Sequence, residues 1–266
     1  MRDDRKENTV KQPEEDQLSS GLVIAIDGPS GSGKSTVSKA VAQALQLAYL
    51  DTGAMYRAAT WWCLERGVDL EDQQLVADLI VELPLDIRVD PTNPGIIVDG
   101  RDVSEAIRES RISRAVSSVA TNLSARAELV RQQQHWVNKG RDKELRVGGI
   151  IAEGRDITTV IAPDADVRIL LTASEDARLA RRAQEVHGTV GADTLAATQD
   201  EVLRRDRDDS TVANFLKAST GVLTLDNSQQ TPEESVTWVI SAAKQARPDI
   251  FLNRQPLGND RNAVKD

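Results

Sequence analysis

The stretch Gly28-Pro29-Ser30-Gly31-Ser32-Gly33-Lys34-Ser35 narrows the possible folds of this chain more than any other. It fits the spacing G-x-x-x-x-G-K-S/T and follows the apolar run Leu22-Val23-Ile24-Ala25-Ile26. It then leads through Thr36 into a helical pattern with Val37, Ala40, Val41, Ala44 and Leu45 on one face. Strand, glycine-rich turn and helix in that order aim successive backbone N–H groups at one spot, with the positive end of the helix behind them. The glycines remove the steric bar to that curl. Lys34 is then placed for the β- and γ-phosphates of a bound triphosphate, and the Ser35 hydroxyl is a ligand for Mg²⁺. Residues 28–36 are therefore expected to bind ATP.

The same alternation continues. Ala48-Tyr49-Leu50, Ile150-Ile151-Ala152, Val167–Thr172 and Val222–Leu225 are further short apolar runs of the kind found in strands buried on both faces. Asp51 or Thr52 caps a helix through Tyr56 and Trp61, and Thr231-Pro232-Glu233-Glu234 opens the last helix with a capping threonine, a proline and a glutamate. This implies an α/β fold with a five-stranded, mainly parallel sheet covered by helices on both faces. Two stretches interrupt it. Residues 80–103 read as a small β insert, with turns at Asp90-Pro91 and Asn93-Pro94-Gly95. Residues 182–204, polar and holding Gly188 and Gly191, read as a mobile lid between two helical arms. The domain is expected to span 21–246. Residues 1–20 and 247–266 are expected to be disordered tails.

Lys and Arg number 33 against 42 Asp and Glu, a net charge of −9. Such a chain is a poor general binder of nucleic acid or anionic membrane, so an anionic ligand must meet a local cluster of arginines. The single cysteine, Cys63, excludes an intrachain disulfide and a multi-cysteine zinc site. No apolar run is long enough for a membrane span, and the mixed charges of residues 2–7 do not form a signal peptide. We expect a cytoplasmic monomer acting on small molecules.

The phosphate loop does not fix what accepts the phosphoryl group. A base-reading N-K-x-D signature would point to a GTPase. The nearest match, Asn138-Lys139-Gly140-Arg141-Asp142, has its aspartate one residue late and no strand before it. A kinase for a phosphorylated acceptor needs a second anion site opposite the first. Arginines stand where strand ends and lid edges would place one: Arg57, Arg155, Arg178, Arg181, Arg182, Arg204, Arg205 and Arg207.

Five segments, in order across roughly residues 22–245, carry a closer likeness. They are the loop with its strand (Ala25–Ser35), Leu50-Asp51-Thr52-Gly53-Ala54-Met55-Tyr56-Arg57, Ala152-Glu153-Gly154-Arg155-Asp156, Pro163-Asp164-Ala165, and Arg205-Asp206-Arg207-Asp208-Asp209-Ser210. Together they resemble the bacterial-type cytidylate kinases among the P-loop nucleoside monophosphate kinases. The resemblance implies a P-loop kinase fold and the reaction ATP + CMP → ADP + CDP with Mg²⁺, with dCMP as a second acceptor. It implies that Ser117 and Arg126, both in the helical region Val116–Arg126, read cytosine together with Asp156, that Arg57 and Arg155 hold the acceptor phosphate beside Thr52, and that Asp209 binds the ribose hydroxyls. Arg205 would lie between the acceptor and the transferring group, acting with Lys34 and Arg155, while Arg178, Arg181 and Arg182 would be lid arginines on the ATP phosphates. Glu153 is a further candidate, for a magnesium-bound water. One departure stands out: where the family has an arginine soon after the Asp209-Ser210-Thr211 run, this chain has Val212. Arg204 and Arg207 are the nearest substitutes.

Overall fold

A computed structural model describes residues 20–145 and 147–252. Five parallel strands form the central sheet: β1 (Leu22–Asp27), β2 (Ala48–Asp51), β6 (Gly149–Gly154), β7 (Val167–Thr172) and β8 (Leu223–Asp226). Their order is β2-β6-β1-β7-β8. All four pairings are parallel. The expected fifth strand is present, displaced by one residue.

β1 lies between β6 and β7 and is buried along its whole length. Its side chains alternate between two cores, as the pleat of a strand dictates. Val23 and Ala25 pack with α2 (Thr52–Glu65), α3 (Gln73–Val81), α4 (Ser110–Ala120) and α5 (Leu123–Arg141). Leu22, Ile24 and Ile26 pack with α1 (Lys34–Leu45) and α8 (Pro232–Ala246). Leucine, isoleucine, valine and alanine make up most of both cores, while Trp61 and Trp62 of α2 enlarge the first.

Local chemistry sets the helix ends. Asp51, rather than Thr52, caps α2, its Oδ1 accepting from the Ala54 N–H at 2.8 Å. Thr231 and Glu234 form the reciprocal box that opens α8. The stretch from Val116 to Arg126, read as one helical region, is two helices. Thr121 ends the first, and Asn122 caps the second by accepting from the Ser124 and Ala125 N–H groups.

The insert is a three-stranded antiparallel sheet of β3 (Leu85–Arg88), β4 (Gly95–Val98) and β5 (Arg101–Asp102). It begins later than residue 80, because α3 continues to Val81. The polar stretch expected as a lid is a helical hairpin, α6 (Glu175–His187) and α7 (Ala192–Ser210), turning at residues 188–191. Residues 1–19 and 253–266 of the expected tails lie outside the described residues. Between them the expectation is corrected. Arg247 pairs with Asp166 at 3.1 Å and with Asp249 at 2.9 Å, and residues 248–252 form a short helix, α9. The charge on Arg247 draws the chain back onto the domain. Among the described residues, no helix is long and apolar enough to cross a membrane.

Candidate active site

A cleft of about 720 Å³ opens at the carboxyl ends of the strands, between the phosphate loop, the insert and the α6–α7 hairpin. That is the size of a small-molecule site. The loop forms its floor. Gly31 (φ 74°) and Gly33 (φ 88°) hold left-handed conformations, and a Cβ on Gly31 would stand 2.5 Å from the Arg178 carbonyl oxygen, so both glycines are required. Lys34 Nζ donates to the Pro29 carbonyl at 3.0 Å. Asn227, just past β8, braces the loop from below: its Nδ2 donates to the Ser32 carbonyl at 3.0 Å.

Lys34, Ser35 and Thr36 line the cleft, with Ser30, Gly31 and Gly33. Gly28, Pro29 and the buried Ser32 shape the turn without lining it. Burial pulls the Lys34 pKa down from 10.5 to about 8; Glu153 opposes that and Arg155 adds to it. Glu153, at 3% exposure, accepts from the Ser35 hydroxyl and from Tyr49 Oη at 2.8 Å. Burial, with Asp51 nearby, pushes its pKa up.

Facing the loop are Arg57, Arg155, Arg182 and Arg205. Arg57 is set by an ion pair to Asp51 at 3.2 Å. Arg155 is gripped by Asp206 and Asp209, each at 2.7 Å, and its guanidinium lies 4.3 Å from the Phe215 ring centre. Burial, then repulsion from Arg155 and Arg57, lowers the Arg205 pKa to about 10, which leaves it charged at neutral pH. Arg57 Nε, Arg205 Nε and Asp209 Oδ1 are buried with no hydrogen-bond partner among the described residues. Arg57 and Arg205 line the cleft, where such orphans mark a place built for a ligand; Asp209 does not line it.

The other expected site residues are placed differently. Arg178 and Arg181 do not line the cleft. Arg178 binds Asp206 and the Ser30 carbonyl, and Arg181 binds Asn227, so both brace the loop from behind. Of the three expected lid arginines, only Arg182 faces the cavity. Arg126 and Asp156 form a 2.5 Å ion pair and neither lines the cleft; Arg126 stands 5.7 Å from the Tyr56 ring centre. Asp156 is 3% exposed, and its burial raises its pKa although Arg126 opposes this. Ser117 is half-buried on α4, and Asp209 sits behind Arg155. Thr52 donates to the Glu153 carbonyl at 2.9 Å, fixing β2 to β6. Arg204 and Arg207, the nearest cations to Val212 in sequence, line no part of the cleft.

Several cleft and support residues escaped the sequence reading. Arg108 and Lys39 line the cavity. Asp27 at the end of β1 accepts from the Ile157 and Thr158 N–H groups at 2.8 Å and from the Thr158 hydroxyl at 2.6 Å. It thereby holds the segment that carries Arg155 and Asp156. The sequence signal for it is an acid at the end of a strand entering a phosphate loop. Asp206 lay in a charged run with no signal to separate it from its neighbours.

A family model described as cytidylate kinase matches residues 24–245. The chain is 46% identical over 194 residues to a cytidylate kinase of Rhodococcus opacus (strain B4), covering 73% of this chain and 82% of that protein. Over 216 residues it is 44% identical to a cytidylate kinase of Nocardia farcinica, covering 81% and 90%. Over 228 residues it is 39% identical to one of Streptomyces avermitilis, covering 85% and 94%.

Proposed function

The chain belongs to the cytidylate kinase family, and we propose that it transfers the γ-phosphoryl group of ATP to the phosphate of CMP in the cytoplasm, giving ADP and CDP, with dCMP as a second acceptor. The observation that carries this reading is the single cleft in which Lys34 and the phosphate loop face Arg57, Arg155 and Arg205. Two anionic ligands brought together there meet opposed cations, as an in-line transfer requires.

The acceptor phosphate is already ionised near neutral pH, so no dedicated base is needed. Lys34 neutralises the outgoing phosphates of the donor. Arg57 and Arg155 hold the acceptor phosphate, and Arg205 spans the two. The orphaned Asp209 Oδ1 suits a ribose hydroxyl. The buried Arg126–Asp156 pair supports the base-reading role: a carboxylate accepts from the N4 amine of cytosine and repels the oxygen of uracil. Arg182 and Arg205 come from the α6–α7 hairpin, which supports reading it as the lid that excludes water.

Among the described residues there is no cluster of three or more ligating side chains for a metal. The Ser35 hydroxyl and the Glu153 carboxylate are nevertheless hard oxygen donors beside Lys34, which suits Mg²⁺ held jointly with phosphates. Ser35 would hold the ion and Glu153 one of its waters; when bound, the ion would supply further charge neutralisation on the β- and γ-phosphates.

The test is ADP release from ATP with CMP, dCMP, UMP and AMP side by side. We expect release that depends on CMP and dCMP and is much slower with UMP and AMP. Release independent of acceptor, or equal for all four, would overturn the assignment.

A further inference from the structure

Asp206, near the end of α7, is 6% exposed and does not line the cleft. Its Oδ1 accepts from the Ser30 N–H of the phosphate loop at 3.1 Å and from Arg155 Nη1 at 2.7 Å. Its Oδ2 accepts from Arg178 Nη1, and that same nitrogen donates to the Ser30 carbonyl at 3.0 Å. One carboxylate thus joins the donor loop, the lid arm α6, the lid arm α7 and the end of β6. The charged groups it pairs with are Arg155 and Arg178. Burial works against its ionisation, yet Arg155 and the hydrogen bonds from Arg155, Ser30 and Arg178 hold its pKa below the ordinary value. Its negative charge also helps Lys34 to keep its proton, against Arg155 and Arg205.

We propose that Asp206 is a positioning residue that locks the donor loop and the acceptor arginine Arg155 into one unit, so that it serves both substrates while facing neither. The proposal rests on the donor and acceptor assignments given above. The physical reason is geometric. Arg155 has one edge of its guanidinium held by Asp206, another by Asp209, and its guanidinium carbon lies over the Phe215 ring, so the part left for the cleft has a fixed direction. The same carboxylate fixes a backbone N–H of the phosphate loop and the arginine that braces it. Preorganisation of either site therefore passes through one group.

The test uses the full chain and measures equilibrium binding of a non-hydrolysable ATP analogue and of CMP, separately, by calorimetry. Asp206→Asn keeps the volume and removes the charge. We expect both affinities to fall by about tenfold or more, as for loss of one partner in a buried charge pair, and Asp206→Glu to recover part of each. A role confined to folding would lower the melting temperature and leave both dissociation constants of the folded protein unchanged, which would overturn the proposal. So would a loss confined to one ligand. If Asp206→Asn does not fold, Arg178→Ala decides. It removes a partner that Asp206 shares with the phosphate loop and that makes no contact with Arg155, and a bridge requires CMP binding to weaken by at least about threefold; unchanged CMP binding overturns it. A wild-type chain that binds the ATP analogue but not CMP would instead overturn the acceptor assignment and the bridge with it, a result visible before any variant is made.

Discussion

Replacing Asp27 with asparagine should remove a component of stability that runs opposite to ordinary acid denaturation. Asp27 is 1% exposed, and burial lifts its pKa from 3.8 to about 6 despite the hydrogen bonds from Thr158 and Ile157. Between those two pH values the folded chain keeps a proton that the unfolded chain has lost. Stability rises with pH only where the unfolded state binds more protons, so here it falls as pH climbs from about 4 to about 6, then levels off. The size follows from the pKa difference. At about 1.4 kcal/mol for each pH unit, the rise from 3.8 to about 6 is worth about 3 kcal/mol. Asparagine does not titrate, so this component vanishes. It also turns an amide N–H₂ toward one of the donors that Asp27 satisfies, at a pH-independent cost of about 1–3 kcal/mol. Part of the titrating component is already lost at pH 4, so the wild-type advantage over the variant should be about 2.4 kcal/mol larger at pH 4 than at pH 7. For a chain of this size that corresponds to a difference of about 5–10 °C in melting temperature. Urea unfolding of both proteins at pH 4, 5, 6 and 7 reads it directly. Two curves that stay parallel across that range would refute the argument that Asp27 is destabilised by burial.

Three further outcomes follow from the site. With a Lys34 pKa of about 8, kcat/KM for ATP should decline as pH rises through that value, because the cation that meets the phosphates is lost; a profile flat to pH 9.5 would remove Lys34 from that role. Asp156→Asn should narrow the preference for CMP over UMP, since an amide N–H₂ can donate to the uracil oxygen; an unchanged ratio of kcat/KM for the two acceptors would exclude Asp156 from base reading. Phe215→Ala removes a fully buried ring and should cost about 3–5 kcal/mol of stability, while also freeing Arg155 and raising KM for CMP; a raised melting temperature, or an unchanged KM, would contradict the support role given to the ring.

The sheet was legible because buried parallel strands are short, apolar and punctuated: Leu22–Ile26 and Val167–Thr172 could be read from composition alone. The phosphate loop was legible because its glycines and Lys34 lie in one unbroken segment. What the sequence concealed depends on partners distant along the chain. Arg178 and Arg181 stand beside Arg182, yet the helix turns them toward Asp206 and Asn227 and leaves Arg182 to the cleft. Spacing of one or three residues on a helix does not say which face meets the ligand until the helix is docked. Asp206 is likewise one acid among several in its run, and its importance arises from Ser30, 176 residues away. The single helical region read across Val116–Arg126 failed at Asn122, where a side-chain cap overrode the helical pattern.

The alternation of β1 between two apolar interiors means that the strand leading into the phosphate loop is a party wall. Thinning either room loosens the same partition. Truncating Val23, on one side, or Ile24, on the other, should thus perturb nucleotide binding through the same segment, although the two side chains never meet. Heat is expected to empty both rooms in one cooperative event.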